Sequence, residues 1–99
     1  MDPQDSVCHI AELLSVDIQP TWTGPGPVWP LLELMRRDGA VVVVKIDGER
    51  HPPNDNGPYT VLASGAPLQG DHIRTDAETV EEALSYVIVE YARRVWQLE

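Results

Sequence analysis

The chain has 99 residues, 42% hydrophobic and 23% charged, with sixteen acids against seven bases and a single cysteine. These figures describe one globular domain spanning 1–99, and the lone Cys8 excludes an internal disulfide framework. A net charge of −9 repels phosphate backbones and anionic lipid, so neither nucleic acid nor membrane is expected as a partner.

The opening "MDPQDSV" is acidic, whereas a secretory leader starts with positive charge, and no apolar run nears the ~18 residues of a membrane span. A cytoplasmic protein is the expectation, with residues 1–5 as a flexible lead. In "DSVCHIAELLSVDI", Val7, Ile10, Ala11 and Leu14 recur at helical spacing, which predicts a short helix over 6–16. The stretch 19–29 is a Pro/Gly/Trp loop, because Pro25, Pro27 and Pro30 fix φ and disfavour helix before each of them. A second helix is predicted over 30–38. Pro30 suits its first position, Gly39 its terminator, and Arg36 and Arg37 its negative end.

"AVVVVKI" then turns to strand chemistry, since β-branched side chains favour the pleated backbone. The run is apolar on both faces, which predicts a central strand over 41–46 covered on each side. "GPYTVLASG" reads as its antiparallel neighbour across a proline-rich loop at 51–58, and "DHIRTD" as a third strand centred on Ile73. The last helix is predicted over 79–97. Thr79 and Glu82 stand at capping-box spacing, and Val80, Leu84, Val87, Tyr91 and Val95 form a wide apolar stripe.

The element order α-α-β-β-β-α defines an α+β fold. A three-stranded antiparallel meander is covered by a long C-terminal helix and short N-terminal helices. Within it, "GDHIRTDAETVEEAL" resembles the strand-to-helix start of the HicB-type antitoxins, and the final three strands and helix resemble the double-stranded-RNA-binding fold. The chain lacks the Pro-Gly-Cys element of the HicB strand and the basic surface an RNA reader requires, so it is assigned to neither.

No catalytic, cofactor-binding or metal-binding set emerges. Cys8 and His9 are neighbours pointing about 100° apart on a helix, which is not a nucleophile–base geometry. His51 and His72 could meet beside Asp55 or Asp71, but no ligand pair has a recognisable metal spacing. There is no phosphate loop, nucleophile elbow or dinucleotide fingerprint. The carboxylates at 76–82 sit at a helix start, where acids are favoured without any catalytic role.

Charge and the tryptophans carry the functional reading. Residues 1–35 hold five acids and no base, and residues 71–90 hold six acids and only Arg74. If these zones form one face, Asp76, Glu78, Glu81 and Glu82 are its partner-binding residues, with the last two solvated at the helix start. Trp29 is expected to be buried as a hydrophobic staple, while Trp22 stands open between core ring and partner-facing anchor. The resulting expectation is a small acidic protein-binding module, of inhibitor, immunity-protein or antitoxin type, that covers a basic protein surface and is not an enzyme. The alternative is a self-associating homodimer of structural or regulatory role.

Overall fold

The computed structural model describes residues 2–49 and 57–98. Helix α1 runs Pro3–Leu13, α2 Trp29–Arg37 and α3 Val80–Tyr91, and the strands are β1 Ala40–Ile46, β2 Tyr59–Gly65 and β3 Ile73–Ala77. This is the expected α+β order. The sheet is antiparallel throughout in the order β1-β2-β3, with Val44 opposite Val61 and Val61 opposite Thr75.

That order corrects one expectation. A three-strand meander places its second strand in the middle, so β2 is central and the valine-rich β1 is an edge. Val41, Val43, Val44 and Ile46 are all exposed.

Helix α1 starts earlier than its apolar stripe suggests, with Pro3, Gln4 and Asp5 in its first turn. The Asp2 carboxylate caps it by accepting from the Gln4 backbone N–H at 2.8 Å, and Pro3 occupies the first turn, where its missing N–H costs nothing. Thr79 caps α3 as expected, its hydroxyl accepting from the Glu82 N–H at 3.1 Å.

All three helices lie on one side of the sheet. Helix α3 covers β2 and β3, α2 covers β1, and α1 packs on α3. The core between the layers holds Val7, Val28, Leu31, Met35, Val61, Ile73, Leu84, Ile88 and Tyr91, each essentially inaccessible to solvent.

Helix α3 does not run regularly to residue 97. From Ala92 to Trp96 it widens into a π turn, and Gln97 closes it in the left-handed region. The wider turn brings residues five apart to one side. Tyr91 and Trp96 accordingly meet edge to face, with ring centroids 5.1 Å apart, and both donate to Asp38 Oδ2, at 2.9 and 2.8 Å respectively.

Candidate interaction surface

The loop between α1 and α2 reverses the expected roles of its two tryptophans. Trp22 is only 4% exposed and belongs to the core, whereas Trp29 is 57% exposed. Trp22 is therefore no partner-facing anchor. Its carbonyl accepts from the Gln4 side-chain amide at 2.8 Å, and the Gly24 N–H donates to Glu81 Oε2 at 2.6 Å, which ties the loop to α1 and α3. Trp29 fails as a staple because Val28 takes the buried position before the helix, and Leu31, Leu32 and Met35 supply the buried stripe. Helical spacing then puts Trp29, Glu33 and Arg36 together on the outer flank of α2.

The predicted acidic residues divide between two tasks. Glu81 is not simply solvated, since it holds Gly24. Asp76 accepts from the Thr60 hydroxyl and pairs with Arg74 at 3.4 Å across a largely buried carboxylate. Glu78 and Glu82 are exposed. Asp76 and Glu82 line one cleft of about 370 Å³ between α1, β3 and α3, whose N-terminal wall is Pro3 and Ser6 and carries no acid.

Arginines converge on the same region. Arg93 donates to both Glu90 oxygens, at 3.3 and 2.7 Å, and holds that carboxyl below the usual carboxylate range. Burial pushes the Cys8 thiol up, with Asp5 and Glu12 adding to the effect, which disfavours the nucleophilic thiolate. His72 is exposed, while its proposed companions His51 and Asp55 lie outside the described residues. Among the described residues no three His, Cys, Asp or Glu side chains gather as metal ligands, and no helix is long and apolar enough to cross a membrane.

The surface that sequence reasoning missed is the β1 edge. Seven large hydrophobic side chains are exposed among the described residues, and five of them, Trp29, Val41, Val43, Val44 and Ile46, lie on α2 and β1. A groove of about 360 Å³ runs between the two elements, floored by Ala40, Val42 and Val44 and walled by Trp29 and Leu32. Val44 and Ile46 point to the groove side of the sheet and Val41 and Val43 to the other, so this edge is apolar on both faces, and exposed apolar surface of this kind marks interaction sites.

The backbone of β1 is open as well. The Asp47 N–H donates to the Pro58 carbonyl at 2.8 Å, in register with the ladder, so the odd-numbered residues of β1 bond toward β2. The N–H and C=O groups of Ala40, Val42, Val44 and Ile46 therefore point outward along the edge. The opposite edge, β3, is short and carries Arg74 and Asp76, the kind of charge that discourages strand pairing. On β1 the only charge is Lys45.

A signal for this was present in the sequence. Between 29 and 47 there are three acids and three bases, a neutral island in a chain of net charge −9. Comparison with protein-family models, curated proteins and solved structures finds no match to this chain.

Proposed function

We propose that this chain is a non-catalytic protein-interaction module that binds by strand addition at β1. The observation that carries the reading is the coincidence, on one edge, of outward backbone groups, five exposed large apolar side chains and an apolar groove. Strand addition uses each of these: main-chain bonds supply affinity, and alternate side chains enter the neighbouring pocket. The acidic face receives less support, because Asp76 and Glu81 already serve internal partners. Its remaining exposed acids, Glu78 and Glu82, act at long range by orienting approach and keeping the chain soluble.

The test compares two variants by chemical cross-linking in cells, read by mass spectrometry. Val44→Pro removes an outward N–H that the chain itself does not use, at an edge position that tolerates proline. Glu82→Lys alters the acidic face instead. Loss of cross-linked chains with Val44→Pro and their retention with Glu82→Lys is expected. The reverse pattern would transfer the function to the acidic face.

A further inference from the structure

We infer that the strand added to β1 is β1 of a second copy, paired antiparallel about a two-fold axis through Val43. The inference rests on the strand-addition reading and names its occupant.

Geometry limits the choices. A two-fold axis perpendicular to the sheet keeps the helix layers of both copies on one side, and it requires one residue of β1 to lie opposite itself. Only Val43 lies at the middle of Ala40–Ile46, so only that axis pairs all seven residues. Val42 then faces Val44, Val41 faces Lys45, and Ala40 faces Ile46. The outward groups at 40, 42, 44 and 46 are the ones that bond in this register. Val43 is left as a non-hydrogen-bonded pair, whose Cα atoms sit about 4.5 Å apart.

Side chains fit the same axis. Ile46 is the most exposed large hydrophobic residue of the strand, at 71%, and it ends β1 on the groove side of the sheet, in line with Ala40, Val42 and Val44. Trp29 is exposed as well, and it walls the groove that Val42 and Val44 floor. A two-fold through Val43 brings Ile46 of each copy opposite Ala40 of the other and Val44 opposite Val42, all on the groove side of the sheet. Val44 and Ile46, both exposed, then gain apolar cover from the second copy.

Charge selects the same face. Each copy carries −9, so contact through most of the surface sets acid against acid. The 29–47 segment is neutral, and the register places Lys45 opposite Val41 rather than against another cation. The paired strands span about 23 Å, which fits a small, concentration-dependent dimer.

Sedimentation equilibrium of the full chain should show mass rising with concentration from 11.0 kDa toward twice that value. Amide exchange at Val42, Val44 and Ile46 should slow in parallel. In a Cys8→Ser background, Val43→Cys should oxidise to a disulfide-linked dimer at least tenfold faster than Val41→Cys, because only position 43 faces itself. A monomer at every concentration overturns self-pairing, and strand addition by another protein is then judged by the Val44→Pro cross-linking result alone. A dimer with unprotected Val42 and Val44 amides, or with equal rates for the two cysteine variants, overturns this register.

Discussion

The Tyr91 hydroxyl donates to Asp38 Oδ2 at 2.9 Å across 53 positions of sequence, joining the end of α3 to the turn between α2 and β1. The Trp96 indole N–H donates to the same oxygen at 2.8 Å, so one carboxylate closes the C-terminal end of the fold. Removing it strands a buried phenol. Hydrogen bonds to a charged group contribute about 1.5–3 kcal/mol each, and partial exposure reduces the sum, so Asp38→Ala should lose roughly 2–4 kcal/mol in urea unfolding. A loss under about 0.5 kcal/mol, within the scatter of ordinary surface changes, contradicts this role.

The same contact sets a pH dependence. Burial first, then the Asp38 hydrogen bond and charge, push the Tyr91 hydroxyl above its ordinary value of 10.0. A group whose folded pKa is raised stabilises fully below its unfolded pKa and loses that contribution as pH climbs beyond it. Thermal stability should therefore fall as pH rises above about 10, and Tyr91→Phe should flatten that fall. Parallel alkaline slopes for the two proteins would remove Tyr91 from the explanation.

Val44 and Val61 face each other across β1 and β2 yet differ in burial, at 39% and 0% exposed. Val61→Asp should leave no cooperative melting transition, because an unpaired charge in the core costs several kcal/mol against a total of ~5–15. Val44→Asp should cost only about 1 kcal/mol, a strand-propensity effect at an edge. Equal losses in thermal melting would return β1 to the sheet centre.

Gly57 has φ +116°, and a Cβ there would lie 2.2 Å from the Ala77 carbonyl oxygen. Backbone on both sides leaves no flexible atom to give way. Gly57→Ala should destabilise by at least ~1–3 kcal/mol, measured by chemical denaturation.

Much of the fold was legible from residues alone. Thr79 and Glu82, Pro30 and Gly39, and the β-branched run marked elements through local chemistry that holds in any context. Asp2 and Pro3 were equally legible as a cap, and the apolar stripe beginning at Val7 obscured them. The π turn at 92–96 was not legible. It depends on Tyr91 and Trp96 converging on Asp38, which is distant in sequence.

The candidate site was legible only as charge. Acidic clustering at 76–82 could be counted, but which of those carboxylates turn inward to Gly24, Thr60 and Arg74 depends on where other elements lie. Trp22 and Trp29 carry the same side chain in the same loop, and the packing of Val28 and Leu31 decides which of them is buried.

Composition and periodicity determined the element order, the α+β class and the excess of negative charge, because each follows from local propensity or from a sum over residues. Strand order, the exposure of β1 and the exchange of roles between the tryptophans were decided by tertiary structure. The reason is physical: a valine run favours an extended backbone and burial, yet hydrophobicity is non-directional. It cannot specify whether the covering surface comes from the same chain or from another.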